Sequence, residues 1–392
     1  VIPLSSPLLI INARVVTPTG IIERGWLASS NHRIESVGSG APPALWVDHE
    51  VIDANGRTAL PGFIDVHVHG GDGVDCMDAD AAALDRMASF FARHGVTGFL
   101  PTTWTAGADA IHRALQAIAS AQGPRPDGAT ILGAHLEGPY LNLDRAGAQD
   151  RAQIRRASRD EALSFLNHGV VRLVALAPEF PENWWLIEEC VRRGITVSAA
   201  HTAATYEDIL QAVALGLSHA THTFNAMGTL HHRTPGTVGA VLSCDSIMCE
   251  LIADNIHVHP AAQRILFASK GPDRVILITD AVRGAGLPAG TVYTQDGRSV
   301  RVRDGASYLS DGTIAGSGLT MDRALFNFSE ATGYPIETLW PATSLNAARS
   351  IGLSDRTGSL EAGKDADIVL IDAEGAVSLT VALGSIVFRN EI

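Results

Sequence analysis

Eight short apolar runs punctuate the middle of the chain: GFIDVHVHG, GVTGFLPTT, TILGAHLEG, VVRLVALAPE, GITVSAAHT, LSHATHTFN, IMCELIADN and RVILITDAV. Between them lie Ala-rich stretches with helical spacing of apolar residues, among them AAALDRMASFFARHG, PENWWLIEECVRRG and TYEDILQAVALG. Near-continuous apolar strands alternating with amphipathic helices predict parallel βα units. Eight such units predict an α/β fold of the TIM-type (β/α)8 barrel kind, with its chemistry at the C-terminal ends of the strands.

The pattern differs at the two ends. Residues 8–52 alternate in short β segments broken by turns, and GSLEAGKDADIVLIDAEGAVSLTVALGSIVFRN near the C-terminus has the same texture. Both termini are therefore expected to build one small β-sandwich domain, 1–56 with 355–392, around a barrel domain at 57–354. A Gly-rich, β-like excursion over roughly 284–317 follows the eighth run and precedes the helical MDRALFNFSEATG.

The polar residues gain meaning from this placement. In a strand, i and i+2 share a face, so His67 and His69 of PGFIDVHVHGG project together while Val66 and Val68 face away. His67 and His69 end the first run, Glu137 the third, His201 the fifth, His222 the sixth and Asp280 the eighth. Imidazole and carboxylate ligands without thiolate suit one or two divalent ions of Zn, Fe, Mn or Co.

Composition narrows the partners. A formal net charge of −13 argues against nucleic acid or an anionic membrane surface as the main partner. Four cysteines without a CxxC pair read as free thiols of a reducing compartment. The first residues, VIPLSSPLLIINARVV, lack a basic leader region, and no apolar run is long enough to span a bilayer, which together predict a cytoplasmic enzyme.

The H-x-H motif, with HLEGPYLN, LAPE, AHTAATY, ATHTFNAM, HHRTPG, ADNIHVHP, TDAVRGAGLPAG and DGTIAGSGLTM, resembles the amidohydrolase superfamily, and within it the deacetylases of N-acetylated amino-sugar phosphates. The similarity extends over nearly the whole chain. It implies metal-dependent hydrolysis of N-acetylglucosamine 6-phosphate to glucosamine 6-phosphate and acetate. Asp280 would be the general base and also a metal ligand, beside His67, His69, Glu137, His201 and His222. His257 would hydrogen-bond the scissile carbonyl, with His259 structural. Arg233, assisted by His232 and by main-chain amides at Asn225 and Ala226, would bind the phosphate, the arginine being supplied across a homodimer.

Four positions depart from the pattern: Thr234, Ala200, Asn255 and Gln149. None is expected to touch the metal constellation. Asn255 and Thr234 are expected near the sugar, which keeps the galactosamine epimer open as substrate. Other amidohydrolase activities on N-acyl or cyclic amides also remain open, although the fourth run lacks the lysine that many of those enzymes use. An inactive scaffold would have eroded ligands, and all are present.

Overall fold

The computed structural model describes residues 6–46 and 48–390. Positions 1–5, 47 and 391–392 of the expected terminal domain lie outside the described residues. All eight apolar runs contain strands: β1 (Phe63–Val68), β2 (Val96–Thr103), β3 (Ala134–Glu137), β4 (Val171–Leu176), β5 (Thr196–Ala199), β6 (His219–Ala220), β7 (Met248–Ile252) and β8 (Val275–Ile278). Each pairs in parallel with the next along the chain. Helices follow them: α1 (Ala81–Ala92), α2 (Ala108–Ala121), α3 (Arg159–Leu166), α4 (Trp184–Arg192), α5 (Tyr206–Ala214), α6 (Gly236–Ser243), α7 (Pro260–Lys270) and α8 (Met321–Thr332).

No ladder pairs β8 with β1 among the described residues. Just beyond β8, however, Asp280 N donates to His67 O (2.9 Å), and the amides of His69 and Gly70 donate to Ala281 O (2.8 and 3.0 Å). Asp65 on β1 also accepts from the Thr279 hydroxyl at 2.5 Å. The first and last strands are thus tied where the candidate ligands emerge.

The third run is not one strand. Gly128–Ile131 pairs with β2 and with Gly123–Arg125 as a hairpin, and β3 starts afresh at Ala134. Gly133, at φ +156°, makes the break, and a Cβ there would lie 2.7 Å from Val170 O.

Local chemistry explains the helices. In α2, Ile111, Ala114, Leu115, Ile118 and Ala121 recur on one face and are buried. Thr205 and Asp208 form a reciprocal capping box at the start of α5. The residues of β1 to β5 and β8 are almost all buried, as a sheet covered on both faces requires. Each large apolar side chain so buried contributes roughly 1.5–3 kcal/mol.

Both chain ends meet in one eight-stranded sheet, ordered Ser385–Arg389, Val377–Ala382, Ile368–Ile371, Thr58–Pro61, Leu8–Thr17, Gly20–Ser30, Arg33–Ser39, with Glu50–Asp53 also on Leu8–Thr17. Its inward residues, including Leu8, Ile10, Leu27, Ile34, Ile52, Ile368, Leu370 and Leu379, share a core of their own. Thr58–Pro61 runs almost directly into β1 through Gly62, where a Cβ would sit 2.3 Å from the Thr97 side chain. The excursion forms a separate antiparallel sheet of Val292–Gln295, Arg298–Arg303, Ala306–Leu309 and Ile314–Ser317. All four cysteines are free. Among the described residues no helix is long and apolar enough to cross a membrane.

At the seam between the terminal sheet and β1, Asp367 accepts from Thr357 Oγ1 (2.6 Å) and Leu383 N (2.9 Å). Burial pushes its carboxyl up to about 6, with these hydrogen bonds opposing. Between roughly pH 4 and 6 the folded chain therefore holds a proton that the unfolded chain has released, so this group's contribution to stability falls as pH rises. Asp367→Asn is expected to remove that loss, so that denaturant unfolding of the variant improves relative to wild type from pH 4 to 6.5. A difference that stays constant with pH would contradict the assignment.

Candidate metal centre

The strand ends deliver their polar side chains to one place. His67 Nε2 lies 3.6 Å from Glu137 Oε1 and 3.5 Å from Asp280 Oδ1. His69 Nε2 is 3.3 Å from both Glu137 Oε2 and Asp280 Oδ1. Glu137 Oε1 is 3.2 Å from the Nε2 atoms of His201 and His222, which are themselves 3.2 Å apart. Three groups have their candidate ligand atoms within 4.8 Å of one another: His67 with His135 and Glu250, behind the cavity described below, and the two triads that reach it, His67 with His69 and Asp280, and Glu137 with His201 and His222. Glu137 stands between them, one oxygen toward each.

These residues fit a divalent ion. His67 Nε2 is buried with no hydrogen-bond partner, and the donors are imidazole nitrogens and carboxylate oxygens. The ligands are also held from behind. His69 Nδ1 donates to Thr102 O (2.9 Å), and its ring stacks on Trp104 with centroids 3.9 Å apart. His201 Nδ1 donates to Arg145 O (2.8 Å). Backing of this kind fixes which nitrogen faces the metal.

Three candidate ligands sit on left-handed backbone: His201 at φ +43°, His222 at +29° and Asp280 at +48°. A residue other than glycine held there costs about 1–3 kcal/mol, and such strain gathers at functional sites. Each residue is the second past the end of its strand.

Charge is balanced within the cluster. Burial pushes the Asp280 carboxyl up, but His67 and His69 outweigh it and hold the group below its ordinary value. Burial likewise opposes ionisation of Glu137, and His67, His201 and His222 together keep it well below the carboxylate range. Burial lowers His69, yet Asp280 and Glu137 raise it to about 9. His135, buried against His67 with ring centroids 4.7 Å apart, is driven down to about 3 by burial and stays neutral.

A cavity of about 170 Å³ opens on the triads. Its lining includes His69, Glu137, His201, His222, His257 and Asp280, with Asn225, Ala226, Trp104 and Gln149 at the sides and Ile314–Gly316 of the excursion above. His67 lies behind this lining. His257 projects from the turn after β7, where Asp254 accepts its Nδ1–H at 2.6 Å and takes the amides of Ile256 and His257, each at 2.8 Å. Arg233 and His232 are not part of the lining: both are exposed and pair with each other at 2.9 Å. They belong to an exposed stretch, 229–234, with Leu230 57% exposed.

One expectation about the departures needs correction. Gln149 does touch the constellation: its Nε2 donates to Glu137 Oε2 at 2.7 Å while its Oε1 accepts Thr105 N at 2.8 Å. A fold back from the turn after β3 brings it there, which spacing alone does not reveal. Asn255 is exposed and bonded to Gln263, away from the cavity lining, and it occupies φ +64°, a conformation that asparagine tolerates in place of glycine. Thr234 is exposed and also outside the lining. His259 caps α7, accepting from Ala261 N.

Sequence reading passed over Glu250, His135, His219 and Asp254. A signal was present for the first two: Glu250 is the one charged residue inside the apolar run of β7, and His135 shares the i, i+2 face of Glu137 on β3.

An α/β scaffold of successive parallel strands that gathers two imidazole–carboxylate triads at one set of strand ends defines a metal-dependent hydrolase. The amidohydrolase family profile matches residues 58–389, and the chain belongs to that family. A curated relative from Bacillus subtilis, an N-acetylglucosamine-6-phosphate deacetylase, is 38% identical over 99% of both chains. An N-acetylgalactosamine-6-phosphate deacetylase from Escherichia coli O157:H7 is also 38% identical, over 90% of this chain and 93% of its own. Among solved structures, the N-acetylglucosamine-6-phosphate deacetylase of Pasteurella multocida superposes with a TM-score of 0.91 at 29% identity, covering 98% of this chain and all of that one. A variant of the Mycobacterium smegmatis deacetylase, solved with N-acetylglucosamine 6-phosphate, gives 0.88 at 31% identity, with 98% and 100% covered.

With its Nδ1 hydrogen given to Asp254, His257 carries a second hydrogen on Nε2 only as imidazolium. Burial opposes that form, but Asp254 raises the pKa above the ordinary histidine value. Asp254→Asn removes the charge and is expected to lower it, shortening the pH range of the imidazolium from the alkaline side. Ring titration by NMR checks this; an unchanged His257 midpoint would show that Asp254 does not set it.

Proposed function

We propose that this chain hydrolyses the acetamide of N-acetylglucosamine 6-phosphate, releasing acetate and glucosamine 6-phosphate. The observation that carries this reading is the pair of triads, with Glu137 of one in reach of His67 and His69 of the other, on a cavity that His257 also lines. The proposed frame is a closed TIM-type barrel at 57–354 with a β-sandwich of 1–56 and 355–392, in a cytoplasmic homodimer. Zn, Fe, Mn or Co would suit the triads. His67, His69 and Asp280 would hold one ion and Glu137, His201 and His222 another.

A bound divalent ion supplies Lewis acidity and draws the pKa of water from about 15.7 toward about 7. The protein's own groups supply positioning and proton transfer. Asp280, kept ionised by His67 and His69, accepts the proton of the attacking water and returns it to the departing nitrogen. His257 donates from Nε2 to the acetyl carbonyl as negative charge grows on its oxygen, a contribution of roughly 3–4 kcal/mol for a well-placed donor. Asn225 and Ala226 line the cavity, the latter on left-handed backbone at φ +53°, while the Asn225 amide donates to His222 O at 2.9 Å. Arg233, exposed on its loop, would reach the phosphate of substrate bound in a second copy of the chain, its planar fork matching the phosphate oxygens.

Acetate release by the metal-loaded protein tests the reaction, with the unphosphorylated sugar and the galactosamine 6-phosphate epimer run alongside. A strong preference for the glucosamine phosphate is expected, and preference for the epimer would move the substrate. Asp280→Asn is expected to lower turnover at least 100-fold with the fold retained by circular dichroism, and near-normal turnover would remove it as base. Arg233→Ala is expected chiefly to raise KM for the phosphorylated sugar. An equal effect on the unphosphorylated sugar would withdraw its phosphate role.

A further inference from the structure

We propose that Glu250 is a positioning residue that couples the two triads, holding His67 of one through its side chain and His222 of the other through its main chain. The inference rests on the metal-centre reading above. Glu250 lies on β7, is fully buried, and does not line the cavity. Its Oε2 is 2.9 Å from His67 Nδ1 and 3.1 Å from His222 N. Its Oε1 is 3.1 Å from Nε2 of the equally buried His219.

A carboxylate behind a histidine settles which ring nitrogen bears the hydrogen. With the hydrogen on Nδ1 shared with Glu250, the free lone pair of His67 is at Nε2, the atom 3.6 Å from Glu137 and 3.5 Å from Asp280. His69 and His201 take equivalent support from the main-chain carbonyls of Thr102 and Arg145, so Glu250 is the charged member of this supporting layer. At His222 the same oxygen holds the amide of a residue on left-handed backbone, and the ring Nδ1 has no partner of its own. One oxygen atom therefore orients a ligand in each triad. Its effect is greatest at His67, whose ring it grips directly.

The test compares wild type with Glu250→Gln, which keeps reach and removes charge, and Glu250→Asp, which keeps charge and shortens reach. Co²⁺ is titrated into metal-free protein, bound ions are counted by mass spectrometry of the metal, and melting is followed with and without Co²⁺. Wild type is expected to take two ions per chain. Folded variants are expected to bind both ions more weakly, the first by less than about 10-fold and the second by about 10–100-fold, and to lose much of the Co²⁺-dependent rise in Tm. Either folded variant taking both ions at wild-type affinity overturns the role of Glu250 alone. A wild type that takes fewer than two ions overturns the two-triad reading, and the coupling with it.

Discussion

Everything at the site depends on the join between the first and last of the parallel strands. His67 and His69 leave β1 and Asp280 follows β8, more than two hundred residues later, yet they belong to one triad. Their meeting is fixed by main-chain hydrogen bonds from Asp280 to His67 and from His69 and Gly70 to Ala281, and by Asp65 gripping Thr279. His67 and His69 make the join with their main chain and the site with their side chains, so one short stretch is both seam and ligand holder.

Around that join the protein has gathered an unusual density of buried polar groups. His67, His69, His135, His219, Glu137 and Glu250 are each no more than about 1% exposed. Such groups destabilise a core unless paired, and here each carboxylate faces several imidazoles. Opposed charges within one cluster also explain the directions of the shifts, carboxylates held low and His69 held high. Left-handed turns at His201, His222 and Asp280 add conformational strain to this electrostatic concentration. The apolar walls of the sheet and helices supply the stability that both require.

Much of this was legible in the chain. The eight runs, the helices between them, the β texture of both ends and the strand-end positions of six polar residues follow from periodicity, because a doubly covered parallel strand is recognisable as an apolar run. What escaped belongs to side-chain geometry or to non-local contact. Gln149 reaches Glu137 by a loop that folds back, and no spacing rule covers that path. Asn255 stands on left-handed backbone, which a single sequence does not display. Glu250 was hidden by its neighbours: in MCELI the apolar residues set the pattern and the single carboxylate looked incidental. His135 was overshadowed by Glu137, two residues on.

The shared sheet at the chain ends carries a consequence for biosynthesis. Thr58–Pro61 takes Ile368–Ile371 as its neighbour, with about three hundred residues of chain between them. During translation Thr58–Pro61 emerges first and waits, with one flank unpaired, until residues 368–371 have been made. Exposed strand edges attract other strands, so until that partner arrives the open flank is a site for mispairing.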